Sequence, residues 1–367
     1  MKRTRHAGAP FDNNSLQRAV RRWVSDPAAV AAEHGHIGEW DVSRVTDMSC
    51  LFFHATEFNE DISEWDVSRV KRMTMMFAGA KAFNCNISRW DVSSVQCMLH
   101  MFDGATAFSG DLRSWDVRRV EIMCAMFRGA TAFNGDISEW DVRRVESMAE
   151  MFHNATTFNG DISKWSVGNV ECMVKMFHGA AAFNGDLRGW DVANVASMLC
   201  MFEGATAFNG DISQWNVSSV ANMLGMFCHA TAFNGDLSKW AVSKVADMSD
   251  MFCGAAAFRG DISKWDINGS VDMSDMFFGA TAFDAQLPIA WRSDQTALAI
   301  LGLSPGYSGV AKRRVARERW GRLFLLVRCS AVLRSLHQGV NARRYAPGGA
   351  GERGAHESFL RTVALAE

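Results

Sequence analysis

Five side chains of the types that bind metal ions recur in this sequence at a constant spacing of 25 residues. They are His153, His178, Glu203, Cys228 and Cys253. Imidazole, carboxylate and thiolate groups are all zinc ligands. If successive units of this length stack, the column is linear with steps of roughly 5 Å, so only adjacent members share an ion and no tetrahedral set closes. Phe53 and Ala78 occupy the same phase, which is typical of a tolerant surface position, and we therefore predict no metal site.

An acidic column repeats with the same period. Its members are Asp61, Asp111, Asp136, Asp161, Asp186, Asp211, Asp236 and Asp261. Carboxylates stacked about 5 Å apart repel one another unless each accepts backbone N–H bonds or shares cations. We predict turns in which backbone N–H groups satisfy the carboxylates, joined by a column of asparagines two residues earlier. Calcium bridging is the alternative, because oxygen-rich repeats bind calcium in some β-helices.

Motifs for catalysis are missing from the sequence. It holds no nucleophile elbow, no phosphate-binding P-loop and no dinucleotide fingerprint. Its nine cysteines are odd in number and contain no C-x-x-C pair. This argues against a disulfide framework or a structural zinc site and favours a reducing compartment. We therefore predict that the protein is not an enzyme and uses no cofactor.

Charge and hydropathy narrow the expected partners and location. The net charge is −2, but the repeats are acidic and the C-terminal segment is basic, which argues against nucleic-acid binding along the length of the chain. No run approaches 18 apolar residues, so we expect no transmembrane span. The first ten residues lack an apolar signal core. The sequence as read indicates the cytoplasm, with the cell surface or secretion as the alternative if the N-terminus is incomplete.

A sequence repeat of 25 residues predicts the secondary structure that positions these columns. Tryptophan recurs every 25 residues from Trp40 to Trp265, methionine from Met48 to Met273 and phenylalanine from Phe58 to Phe283. A fixed period of this length indicates stacked units. We predict a repeat solenoid over residues 36–291 whose Trp, Met and Phe columns form the core.

Each repeat is predicted to contain a short strand and a short helix. Asp61–Ser63 has a β-branched centre flanked by turn-forming residues, which favours a strand paired in parallel with the next coil. Val67 to Ala80 carries apolar residues at spacings of three and four, which indicates a helical or 3-10 stripe. The column of Gly79, otherwise Asn or His, predicts a left-handed residue that stops this helix. The fold class is thus an α/β repeat solenoid of about ten coils.

The segments that flank the array differ from it. In residues 1–35 we predict a helical cap that begins near Ser15 and buries Leu16, Ala19, Val20 and Trp23. Residues 292–367 form a basic, partly disordered segment with a helix over 311–338. This helix either caps the array or contacts an anionic membrane or an acidic partner.

The candidate binding face follows the predicted strands, where charge varies from coil to coil. Its residues are Glu64, Arg89, Arg113, Glu139, Lys164, Arg188, Lys239 and Lys264. Extended faces of solenoids commonly bind other proteins. We therefore predict a protein partner whose identity the sequence does not name.

The repeated phrase carries a family resemblance. One copy, from Phe208 to Ala230, reads F-N-G-D-I-S-Q-W-N-V-S-S-V-A-N-M-L-G-M-F-C-H-A. It resembles the BspA-like leucine-rich repeat family, in the subgroup of bacterial surface lipoproteins and unicellular eukaryotes. The resemblance implies a right-handed solenoid, a role in adhesion or protein interaction, and no enzymatic activity.

Three functions are consistent with this sequence. The first is an interaction scaffold, the second an exported cell-surface adhesin, and the third a calcium-stabilised structural array. Glycan on the N-x-[ST] sites at Asn13, Asn86, Asn154 or Asn216 would favour export.

Overall fold

The structure is a computed structural model that describes residues 9–267 and 270–283. Two α-helices open it, α1 (Asn13–Ser25) and α2 (Pro27–His34), followed by a 3-10 turn at Ile37–Glu39. From there the chain winds into coils of one repeat each. Nine parallel bridges join successive coils, from Asp47↔Arg72 to Asp247↔Asp272. The prediction that the repeats stack into a solenoid is confirmed.

The elements within each coil differ from the prediction. The bridges lie at the residue before the first methionine, so the strand predicted at Asp61–Ser63 is wrong, and that segment forms a turn. The helix predicted from Val67 to Ala80 is also wrong, because no helix is assigned in the coils among the described residues. Apolar spacings of three and four arise here from consecutive turns, which bury the same positions as a short helix would.

Backbone hydrogen bonds explain how these turns stack. Alternate residues donate their N–H groups to the next coil, as in Met73 to Cys97 at 3.0 Å, and Met75 and Phe77 do the same. The residues between them close turns onto carbonyls three positions back, as in Ala80 to Phe77 at 3.0 Å. The segment thus satisfies its backbone both within and between coils, which meets the need of buried N–H and C=O groups for partners.

Two columns of each coil adopt the left-handed backbone conformation. The first contains Gly79, with φ of 73°, and the predicted substitutes His54, Asn154 and His229, with φ of 55° to 57°. The left-handed column is therefore confirmed, although it ends a turn rather than a helix. The second lies four residues earlier and was not predicted. Its only glycine among the described residues is Gly225.

The core consists of the predicted columns. Every tryptophan, methionine and phenylalanine column runs through one continuous buried cluster. From Trp65 to Trp265, the indole Nε1–H of each column tryptophan also donates to a carbonyl 28 residues earlier, as in Trp165 to the carbonyl of Ile137 at 3.0 Å. Trp140 and Trp165 stack with centroids 6.3 Å apart and planes 2° from parallel. The sequence predicted the burial of these rings but not their hydrogen bond to the backbone.

The N-terminal cap closes the first coil. The buried face of α1 is the predicted Leu16, Ala19, Val20 and Trp23. The N-cap, however, is Asp12 rather than Ser15. Ser15 is the third residue of the helix and completes a capping box with Asp12. The side-chain oxygen of Asn13 accepts the N–H of Thr46 at 2.8 Å. This bond satisfies a backbone group that has no earlier coil to pair with, which is the task of a cap.

The basic segment 292–367, with its predicted helix at 311–338, lies outside the described residues, and the predicted domain boundaries stay predictions. Right-handedness of the coils likewise stays a prediction. No helix within the described part of the chain is both long and apolar enough to cross a membrane.

Candidate functional site

The eight charged residues of the predicted binding face all lie exposed on the described coils. The structure brings two of them together, because Lys164 Nζ lies 2.6 Å from Glu139 Oε1 of the preceding coil. Arg113 and Arg188 instead pair with aspartates of the following coil, at 3.0 and 3.1 Å. Among residues 9–267, no other two of the eight form an ion pair. A role in binding remains a prediction for all of them.

A second group of polar residues, of which the sequence analysis named only His153, His178 and Glu203, lies buried or half-buried along another pair of columns. It combines the second left-handed position of a coil with the residue three positions later, from His100 to Glu203. We call this group the polar strip. Its members are His100, Asp103, Arg128, Glu150, His153, Lys175, His178, Cys200 and Glu203. A signal was present in the sequence, since titratable residues recur at both phases, but nothing in the spacing showed that the two phases face each other.

An ion-pair network forms the N-terminal half of the polar strip. Asp103 accepts from His100 Nδ1 at 2.9 Å and from Arg128 through two nitrogens at 2.6 and 3.0 Å. The same guanidinium reaches the next coil, where its third nitrogen lies 3.0 Å from Glu150 Oε2. Arg128 thus bridges carboxylates of two coils in the bidentate manner that guanidinium groups favour.

Burial and pairing have opposite effects on the pKa values of this network. Burial alone would raise the pKa of Asp103, but its hydrogen bonds from His100 and Arg128 outweigh this and lower it. Glu150 behaves in the same way, since the contact with His153 and the charge of Arg128 outweigh burial and lower its pKa. Burial lowers the pKa of His153 and favours its neutral form. The carboxylates are therefore ionised at neutral pH.

Metal-ligand side chains meet in the C-terminal half of the polar strip. His153 and His178 have ring centroids 4.5 Å apart, and His178 Nδ1 lies 3.4 Å from Glu203 Oε2. One ligand atom each from His178, Cys200 and Glu203 lies within 4.8 Å of the others. The expectation that only adjacent members of one column can share an ion is therefore wrong, because Cys200 enters from the second column.

A second set of three ligand atoms lies in the next coils. Cys228, His229 and Cys253 also place one ligand atom each within 4.8 Å of the others. Both thiols are buried and unoxidised, whereas His229 is exposed. The ring of His229 lies over Gly254, and His54 lies over Gly79 in the same way. The placement of His229 therefore follows from its column and does not require a ligand.

The acidic column forms the predicted turns. Asp161 accepts a hydrogen bond from the backbone N–H of Ser163 at 2.9 Å. Each of the other members likewise accepts the N–H of the residue two positions later. Asparagines link the coils, as in the N–H of Asn184 to the side-chain oxygen of Asn159 at 2.8 Å. Hydrogen bonds to the backbone and to Ser163 lower the pKa of Asp161. The prediction that backbone N–H groups satisfy these carboxylates is confirmed.

Comparison with known proteins identifies the repeats. The family described as "Mycoplasma protein of unknown function, DUF285" matches residues 22–127, 109–210 and 186–291. These overlapping matches run from the end of α1 to residue 291, which is well over half of the chain. No curated protein matches the sequence.

Two solved structures are similar over much of the chain. A leucine-rich cell surface protein from Faecalibacterium prausnitzii A2-165 is 12% identical, with 71% of this chain and 87% of that chain covered at a TM-score of 0.31. A leucine-rich repeat protein from Bacteroides ovatus ATCC 8483 is 12% identical, with coverage of 66% and 70% and a TM-score of 0.27. Scores this low do not establish a shared backbone geometry.

Proposed function

This chain belongs to the DUF285 family, and from that premise we propose that it is a protein-interaction scaffold which binds a protein partner through an exposed face of its solenoid. The observation that carries the proposal is the contrast between a uniform core and an exposed column whose charge changes from coil to coil. A face of this kind presents a pattern of charges on a rigid support, which is how solenoids recognise their partners.

The proposed face is the set of eight charged residues named above. Six of its eight members are cationic: Arg89, Arg113, Lys164, Arg188, Lys239 and Lys264. Two of these cations already pair with aspartates and one with Glu139. Arg89, Lys239 and Lys264 are exposed and form no such pair among the described residues, which makes them the most available contacts for an acidic segment of a partner.

Adhesion is the narrower form of the same proposal, in which the partner lies on another surface. Three asparagines of the sequence's N-x-[ST] sites, Asn86, Asn154 and Asn216, are exposed, so an exported chain would present them to glycosylation. The resemblance to BspA-like repeats supports this form. Membership of that subgroup is itself part of the proposal.

Charge reversal tests the proposed face. The variant Arg89→Glu, Lys239→Glu, Lys264→Glu should lose a partner that the full-length wild-type protein retains in an affinity pulldown from its source cells. Because exposed charges contribute little to folding, the variant should melt at nearly the wild-type temperature.

A matched control reverses three charges elsewhere on the coils. Arg69, Arg119 and Arg144 are equally exposed but occupy another phase of the repeat. Their reversal to Glu should leave the same partner bound. If the control loses the partner while the first variant keeps it, the binding face lies on that other phase and the proposal is wrong.

A further inference from the structure

Three side chains of the polar strip approach one another as ligands of a single ion do. His178 Nδ1 and Glu203 Oε2 are 3.4 Å apart. Two ligands that each lie about 2.1 Å from a tetrahedral ion are separated by roughly this distance. The Cys200 sulfur completes the set within 4.8 Å. Cys200 is fully buried and forms no disulfide.

The imidazole of His178 has a nitrogen that the protein does not satisfy. His178 Nδ1 is buried and has no hydrogen-bond partner, because its contact with Glu203 is not aligned for one. A buried polar atom without a partner costs free energy. A cation placed between His178 and Glu203 would remove this cost and would be bound by both groups.

The neighbouring coil contributes no side chain beside two of these ligands. Gly225 is the only glycine of the second left-handed column in the described coils. A Cβ at this position would lie 3.2 Å from the Cys200 sulfur and 3.7 Å from Glu203 Oε2. Every other described coil places a side chain at this position, so the space beside these two ligands is specific to this part of the solenoid.

We propose that His178, Cys200 and Glu203 bind a late transition-metal ion of the zinc type. Imidazole, thiolate and carboxylate together suit Zn²⁺ or Co²⁺ better than calcium, which takes oxygen ligands. Zinc sites with three protein ligands commonly bind water or a substrate at the fourth position.

The site differs from the neighbouring set of Cys228, His229 and Cys253. That second set contains two thiols and is the chemical competitor for the same ion. Its histidine is placed by the repeat itself, as His54 shows in a coil that has no such set. The His178 set is favoured because it contains an unsatisfied buried nitrogen and lies beside Gly225, the one glycine of its column in the described coils.

Metal titration of the full-length protein tests the proposal. The reduced, chelator-treated chain is titrated with Zn²⁺ against a chromophoric chelator, and with Co²⁺ to record thiolate-to-cobalt charge transfer. The wild-type protein should bind at least one equivalent and show the charge-transfer band. In Cys200→Ser, the affinity for this ion should fall by more than about 100-fold, so the titration should detect one equivalent fewer. Even changes around a metal ligand lower affinity about 10- to 100-fold.

Two further variants separate the site from its neighbour and from misfolding. Gly225→Ala keeps all three ligands but places a methyl carbon 3.2 Å from the Cys200 sulfur, and should lose the same equivalent. Alanine can adopt the left-handed conformation of this column, because Ala125 occupies it with φ of 51°. Cys228→Ser should keep the equivalent.

Two outcomes would overturn the proposal. One is retention of wild-type zinc stoichiometry and cobalt spectrum by Cys200→Ser or Gly225→Ala. The other is loss of the equivalent in Cys228→Ser alone, which would assign the ion to the neighbouring thiols.

Discussion

The interior columns and the polar strip run along the same stack of coils but follow opposite rules. In the interior, one residue type repeats from coil to coil, as in the parallel rings of Phe152 and Phe177, which lie 5.6 Å apart. In the polar strip, the side-chain type changes along the stack, and the charge alternates from Asp103 to Arg128 to Glu150. Both columns are shielded from water, so burial alone does not explain the difference.

The difference follows from what stacking does to each kind of group. Identical apolar rings attract one another at any coil, so repetition extends the core. Identical charges about one coil apart repel, whereas Asp103, Arg128 and Glu150 place opposite charges in successive coils. The interior therefore makes all coils equivalent, whereas the polar strip makes individual coils distinct. Sites that act only once, such as the proposed metal site, belong in the second kind of column.

The largest expected effect comes from the interior. Trp165→Ala should lower the free energy of unfolding by about 3–5 kcal/mol, the range for large aromatic residues, because it removes the stacking on Trp140, the tilted contact with Phe152 and the hydrogen bond to Ile137. Urea unfolding followed by circular dichroism measures the change. Trp165→Phe, which keeps an aromatic ring but not the hydrogen bond, should cost less. Equal costs for the two variants would contradict the role assigned to stacking.

A smaller effect is expected in the polar strip. Arg128→Met leaves Asp103 and Glu150 shielded without their shared partner, which should cost about 2–3 kcal/mol. The Arg128 side chain is 26% exposed, whereas that of Arg118, which pairs with Asp116, is 68% exposed. Arg118→Met is therefore the matched control and should cost less than about 1 kcal/mol. If both variants lose the same amount of stability, the ion pairs of the polar strip contribute no more than those of an exposed surface.

The sequence predicted the interior much better than the polar strip, for a physical reason. Burial of Trp165, the face of α1 and the left-handed Gly79 column all follow from periodicity and sterics within one repeat. The hydrogen-bonded bridges between coils did not follow from periodicity. The turns that form them bury residues at helical spacing but pair with the next coil through alternate N–H groups. The approach of Cys200 to His178 depends on which phases of neighbouring coils face each other, and repeat spacing alone does not contain that relation.

The smallest expected effect concerns the backbone beneath the polar strip. Ala125 is buried in the second left-handed column with φ of 51°. A non-glycine residue pays roughly 1–2 kcal/mol for this conformation, and glycine avoids that cost while losing a buried methyl group worth about 0.8 kcal/mol. Ala125→Gly should therefore leave the free energy of unfolding within about 1 kcal/mol of wild type.

The control is a buried alanine with an ordinary backbone. Ala149 is equally shielded, and its φ is not positive. Ala149→Gly loses its methyl group and gains nothing in return, so it should destabilise the protein by about 1 kcal/mol or more. The gap between the two variants, measured by urea unfolding, reports the cost of the left-handed column. If Ala125→Gly is as damaging as Ala149→Gly, the column carries no strain, and the room at Gly225 does not depend on glycine's conformational freedom.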